Sequence, residues 1–318
     1  MEKYDMVVPK NAIGPTLLEI MDQDDRVVVM SSDVSVSANV EMIHEKYARN
    51  FFEMGIAEQS TMSVSGGMAT EGLIPVYAAL SIFSAGMTFP QMRQVCNANL
   101  NVKIIGTHAG VDDGPDGSGH HATEDIAMTR VLPRMTVLAP SDIYDVEAAI
   151  KAMVQYSGPV YMRIARAEQP IIHKKGCIFP IGKAEYIYDE GDDFAIVYEG
   201  TALKQALEGW VLLKEKGYKG KFISIRTIKP IDKNCIFDIA QRVDVILTVE
   251  NHSIIGGLYS TIVELLAQEK YKAVVRPVGF HDIFMESGNE SDIKEKYGLS
   301  GNEILKIYED FVEARSRR

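Results

Sequence analysis

Short, almost wholly apolar runs alternate along the chain with stretches whose apolar residues recur every three to four positions. The runs at 26–30, 74–79, 102–107, 136–139 and 160–164 predict strands. Periodic segments at 12–21, 57–70, 88–97, 123–131 and 143–155 predict helices, the last with Asp142 as N-cap and Glu147 a little inside its first turns. Strands that lack polar alternation are covered by helices on both faces, so the pattern predicts a mostly parallel sheet in three layers. The alternation breaks after Arg166, where Pro170, Gly176, Pro180 and Gly182 mark a linker. It restarts with strands at 194–198, 221–225, 245–249 and 273–278 and helices at 202–216, 232–242, 258–268 and 302–314. The expectation is α/β throughout: one domain over 1–170, a linker over 171–184, and a second, smaller domain over 185–318.

Bulk properties narrow the function without naming it. A 46% hydrophobic content across 318 residues supports two real cores. The net charge of −11 argues against a general nucleic-acid surface, yet leaves room for a local basic pocket. Three scattered cysteines, Cys96, Cys177 and Cys235, read as reduced thiols. The N-terminal Met1-Glu2-Lys3-Tyr4-Asp5 has no apolar leader and no stretch reaches membrane-spanning length, so a cytoplasmic location with no membrane contact is expected.

Two segments concentrate the chemistry. In Phe51-Phe52-Glu53-Met54-Gly55-Ile56-Ala57-Glu58-Gln59 a carboxylate follows a glycine turn and precedes a run of small residues, Ser60, Ser63, Ser65, Gly66 and Gly67. Small residues allow a helix to approach another backbone, which predicts a buried junction around Glu58. A carboxylate there needs a partner, such as a ring nitrogen that it protonates. The plainer reading is a glutamate favoured by the helix dipole. The second segment runs from Thr107-His108 through Asp112, Asp113, Asp116 and Gly117 to His120-His121, a strand end leading into a glycine-rich acidic loop. Such loops are where open α/β sheets bind ligands. Its histidines and aspartates could ligate a metal, though nothing fixes a coordination geometry; a flexible acidic surface loop is the other plain reading.

Gly55-Ile56-Ala57-Glu58-Gln59 and Thr107-His108…Asp116-Gly117…His120, in this order, resemble the transketolase-like enzymes of thiamine diphosphate. The resemblance implies that Glu58 contacts N1′ of the cofactor's aminopyrimidine, that Phe83 and Phe89 flank that ring, and that Asp33 lies near the thiazolium. It implies catalytic roles for Glu58, His120 and His108 and a hydroxyl-reading role for Asp116. His108, Ser37, Arg166 and Lys10 would hold the substrate's anionic tail, with His120 and His121 at the substrate edge. Departures stand at Lys10, where relatives carry arginine, at Gly86, which replaces a side chain, and at Pro115, Gly119 and His121 in the loop. Thr248-Val249-Glu250-Asn251-His252 and Tyr297-Gly298-Leu299 resemble the family's C-terminal domain, with His252 expected to be structural.

The family's Gly-Asp-Gly metal–diphosphate run is missing; Gly191-Asp192-Asp193 lacks the second glycine and precedes a strand of the wrong domain. The resemblance therefore implies the C-terminal subunit of a split transketolase, with no metal ligands of its own. A separate N-terminal subunit would hold the diphosphate through Mg2+, in a heterotetramer of two plus two. The expected reaction moves a two-carbon ketol unit from an anionic ketose, such as a sugar phosphate, to an aldose through a thiamine diphosphate carbanion. The alternatives are half of another thiamine enzyme (a 2-oxo acid dehydrogenase beta subunit or a deoxyxylulose-phosphate synthase) and a non-catalytic partner subunit.

Overall fold

The computed structural model describes residues 4–268 and 270–317. Six parallel strands form the body of the first sheet: Val27–Ser31 (β2), Phe51–Glu53 (β3), Ile74–Leu80 (β4), Lys103–Thr107 (β5), Thr136–Leu138 (β6) and Val160–Arg163 (β7). Met6–Val7 (β1) pairs separately with Gln169–Pro170 (β8). The second sheet contains Glu185–Asp189 (β9), Phe194–Tyr198 (β10), Gly220–Ser224 (β11), Val245–Ser253 (β13) and Val274–Phe280 (β14), ordered β14-β13-β10-β11-β9. Only β9 runs antiparallel there. Thr227–Lys229 (β12) follows the linker in sequence but returns to the first sheet, antiparallel to β6, giving the order β12-β6-β7-β5-β4-β2-β3.

Helices cover the faces: Ile13–Met21 (α1), Met42–Lys46 (α2), Glu58–Thr70 (α3), Phe89–Asn97 (α4), Asp125–Arg130 (α5), Ile143–Gln155 (α6), Leu203–Glu215 (α7), Lys233–Arg242 (α8), Leu258–Leu266 (α9), Glu290–Lys296 (α10) and Gly301–Ser316 (α11). Asp142 caps α6 as expected, its Oδ1 accepting the N–H groups of Tyr144 (3.1 Å) and Asp145 (2.9 Å). β2, β4 and β5 are buried at every position, which is why they read as almost wholly apolar runs.

The two halves share a core. One cluster of buried apolar side chains runs from Met62, Tyr77 and Ile104 to Ile223, Ile246 and Leu258. Beside it a buried polar junction crosses the boundary. Arg163 of β7 meets Asp125 at 3.1 Å and Glu199, after β10, at 3.0 Å. Its Nη2 donates to the Asn251 carbonyl (3.0 Å), while Tyr161 donates to Asp125 (2.7 Å). Burial pushes Glu250 up to about 8 and, with Arg163 nearby, pushes His252 down to about 3. His252 is fully buried and, with its pKa lowered, neutral. Residues 171–184 carry no helix or strand but are pinned down: His173 lies between Asp142 (2.9 Å) and Glu185 (3.0 Å).

Candidate active site

Parallel strands deliver their carboxyl ends to one edge, and the expected residues gather there. Asp33 follows β2, Glu58 follows β3, Phe83 follows β4, His108 comes directly after β5, and Arg166 follows β7. Those five strands are contiguous in the order β7-β5-β4-β2-β3. At ~4.8 Å per strand, β3 and β7 stand ~19 Å apart across the sheet.

At the β3 end, Glu58 is the first residue of α3, where the exposed amides of a helix start favour a carboxylate. It makes no hydrogen bond or ion pair among the described residues. The buried junction expected around it does not form within this chain: Glu58 is half-exposed. The small residues divide by face, Ser65 and Gly66 packing inward with Thr61 and Met62 while Ser60, Ser63 and Gly67 face solvent. A Cβ added at Gly67 would meet nothing within 4 Å. Asp33, exposed, adopts φ +60°, and its N–H donates to Glu53 Oε1 (2.6 Å), which also accepts from Gly55 N (3.3 Å). Phe83 sits in a single π-helical turn, Ile82–Met87, and packs edge-on against His120 with ring centroids 5.4 Å apart. Phe89 opens α4 and leans on the hydrophobic core, with no ring contact to Phe83 or His120 among the described residues.

At the β7 end, cations converge. Lys10, in the Pro9–Ala12 turn, donates to the Ser37 carbonyl at 2.7 Å. Burial and the neighbouring Arg166 lower the Lys10 pKa. Burial, Lys10 and Arg166 together push His108 down to about 4, so its imidazole is neutral at physiological pH. His108 has φ +56°, unusual for a side-chain-bearing residue, and its Nδ1 lies 2.9 Å from Thr107 Oγ1. Lys10, Ser37, His108 and Arg166 thus form one group. Two cations beside a neutral imidazole suit an anion.

The loop between the two ends carries Asp116, exposed in a short 3-10 turn, and the half-buried His120. His121 is buried, and neither ring nitrogen has a hydrogen-bond partner among the described residues. Burial lowers its pKa, with a smaller push in the same direction from His120, and the main chain of Gly114 offsets this in part. No group of three or more His, Cys, Asp or Glu side chains able to hold a metal ion forms among the described residues. No helix among them is long and apolar enough to cross a membrane.

Sequence reasoning missed what fixes this loop. Asp112 is fully buried, and its Oδ2 accepts the N–H groups of Arg166 (2.8 Å) and Ala167 (2.9 Å). Its Oδ1 accepts from Asn251 Nδ2 (3.0 Å) and Lys294 Nζ (2.8 Å), both from the second domain. Burial alone would raise the Asp112 pKa, but Lys294 and the two amides outweigh it and hold the carboxyl below its usual range. Asn251 also receives the Val111 N–H (3.1 Å) and donates to the Ala109 carbonyl (3.2 Å). Nothing local in Glu290–Lys296, a highly charged heptapeptide, signals that its Lys294 is buried.

Comparison with known proteins identifies the family of both domains. Residues 6–170 match the transketolase pyrimidine-binding domain and residues 182–304 the transketolase C-terminal domain. A protein of Methanocaldococcus jannaschii described as a transketolase C-terminal section is 36% identical over 300 residues, covering 93% of this chain and 94% of that one. A subunit of an apulose-4-phosphate transketolase from Phocaeicola vulgatus is 32% identical, over 97% of this chain and 98% of its own length. Among solved structures, a split-gene transketolase in an inactive beta4 tetramer superposes with a TM-score of 0.88 at 34% identity, covering 96% of this chain and 98% of that one. The chain belongs to the transketolase family and carries that family's pyrimidine-binding and C-terminal domains in succession.

Proposed function

We propose that this chain is the C-terminal subunit of a heteromeric transketolase, with residues 1–170 and 185–318 as its two domains and 171–184 as their linker. It moves a two-carbon ketol unit from an anionic ketose to an aldose once a separate N-terminal subunit completes the site. The observation that carries the reading is the division of the sheet edge: an unpartnered carboxylate, Glu58, at one end and a cation pair at the other.

The residues present fit one half of thiamine diphosphate. An unpaired Glu58 carboxylate and the Phe83 ring suit an aminopyrimidine, while no carboxylate cluster among the described residues suits a metal–diphosphate group. When bound, the cofactor supplies the reactive carbon that carries the two-carbon unit. Glu58 would share a proton with N1′ of its ring, the role that an unpaired carboxylate at this point can fill. His120, oriented by Phe83, would move protons at the substrate oxygens. His108, neutral, would donate a hydrogen bond to the substrate, and Asp116 would read a hydroxyl. Arg166 and Lys10, with Ser37, would hold the anionic tail; His121 and Asp33 would shape the two rims, and Phe89 would back the ring from the core.

Apolar exposure supports a covering chain. Ile56, two residues before Glu58, is 80% exposed, and Met87, at the end of the π-helical turn, is 51% exposed. The solved relative at 34% identity is itself described as an inactive beta4 tetramer. A heterotetramer of two plus two, with Mg2+ on the partner, is the assembly this reading favours.

The test is ketol transfer from a panel of ketose phosphates to an aldose, with thiamine diphosphate and Mg2+, for this chain alone and with a candidate N-terminal subunit. Activity only in the mixture is the expected result. Pyruvate consumption without ketol transfer would move the chain to the decarboxylating branch of thiamine enzymes. Activity of this chain alone would overturn the split-site reading.

A further inference from the structure

We infer that Lys294 and Asn251, on the second domain, are positioning residues for the anion pocket of the first, acting through Asp112. This rests on the reading of Arg166 as an anion-binding side chain. The Arg166 side chain is 43% exposed and, among the described residues, its guanidinium is steered by weak contacts alone, to the Asp112 carbonyl (3.3 Å) and Asp113 Oδ1 (3.4 Å). Its backbone, by contrast, is held firmly. Asp112 binds two successive amides, those of Arg166 and Ala167, with one carboxylate oxygen. That carboxylate sits in a fully buried site and stays charged because Lys294 Nζ lies 2.8 Å from its other oxygen.

Lys294 is itself 2% exposed at the side chain and is held from one turn earlier by Glu290 at 2.7 Å. Asn251 closes the arrangement by donating to the same Asp112 oxygen and gripping the loop backbone at Ala109 and Val111. The contact is close enough to exclude side chains: a Cβ at Gly110 would fall 2.1 Å from Asn251 Oδ1, and one at Gly114 would fall 2.5 Å from the Gly288 carbonyl. His108, Asp112 and Arg166 are therefore registered against a helix 182 residues downstream of Asp112.

The variant Lys294→Met strips the charge partner and leaves Asp112 to take up a proton or turn away. The Arg166–Ala167 turn then loses an anchor. Inorganic phosphate serves as the probe, titrated by calorimetry into the full chain at a temperature well below the variant's melting point. The expected result is phosphate binding by the wild type that weakens at least about fivefold in Lys294→Met and in the control Arg166→Gln. If Lys294→Met fails to fold, the pair Asp112→Asn with Lys294→Met removes both fully buried charges and strips a partner only from the Glu290 carboxylate, which reaches solvent. It too should bind phosphate more weakly, because one amide oxygen replaces a charged two-oxygen acceptor.

In the assembled enzyme Lys294→Met should raise KM for a ketose phosphate about tenfold and leave kcat/KM for the ketose lacking the phosphate within about twofold. A role confined to stability would lower the melting temperature and leave phosphate affinity and the KM split unmoved; that result overturns the inference. Absence of phosphate binding by the wild type overturns it too. Ketol transfer with wild-type-like phosphate binding in Lys294→Met would overturn the brace and leave the proposed function standing. Selective loss of phosphate binding without any ketol transfer would do the reverse.

Discussion

Glu58 stands in the first turn of α3 with a free carboxylate that is partly open to water. Glu58→Gln removes the charge and keeps the shape, so stability should change by no more than about 0.5 kcal/mol. Activity of the assembled complex should fall by about 10²-fold or more, the usual worth of a positioned proton-transfer group; steady-state kinetics beside a thermal melt checks both. His108 gives a pH signature. Its folded pKa, about 4, lies below the ordinary 6.5, so between those values the unfolded chain binds the extra proton. Stability should therefore fall as pH drops through that window, and His108→Asn should flatten this part of a denaturation profile. The sequence exposed these two residues because each sits in a local run whose neighbours mark its place. Asp112 and Lys294 could not be read the same way. Each looks like an ordinary surface charge, and only the fold brings them together.

Among the elements, strands buried on both faces were the most legible, since helices above and below leave no room for polar alternation. The Asp142 cap of α6 was legible for a local reason as well. What its sequence position could not reveal is its second oxygen, which accepts the N–H groups of Ile172 and His173, both at 2.7 Å, and lies 2.9 Å from the His173 ring. Asp142→Ala should cost more than the roughly 1–2 kcal/mol of a helix cap alone, measured as the shift in chemical denaturation midpoint. β3 and β12, three residues each, and α2, five residues, are too short to carry a period, and they passed unseen. The π-helical turn at Ile82–Met87 likewise has no pattern of its own, although it aims Phe83 at His120.

Across the whole molecule, buried charge ties the halves together. His173 is enclosed by Asp142 and Glu185, and Arg226 bridges Asp145 (2.5 Å) and Glu185 (2.8 Å). Burial opposes protonation of His173, but the two carboxylates prevail and raise its pKa to about 10. A pKa raised above the unfolded value near 6.5 gives stability that is present in full below pH 6.5 and lost as pH rises through about 10. His173→Gln should therefore lower the melting temperature at pH 7 and narrow its gap to the wild type at about pH 10.5. The two-domain plan was legible because the alternation of elements stops and restarts around the linker; the depth of the contact between the halves was not, since it depends on residues far apart in the chain.

β12 has a practical consequence for anyone dividing this protein. A fragment ending at the linker would surrender the strand that covers β6, leaving a row of unpaired amides and carbonyls on the rim of an otherwise complete sheet. The remaining fragment would carry Thr227-Ile228-Lys229 with nothing to pair against, and Ile228, 1% exposed in the intact chain, would meet water. Sequence boundaries that look like a seam are thus a poor place to cut: expressed apart, the pieces should be sticky and prone to aggregate, so that co-expression, not isolation, is the route to soluble halves.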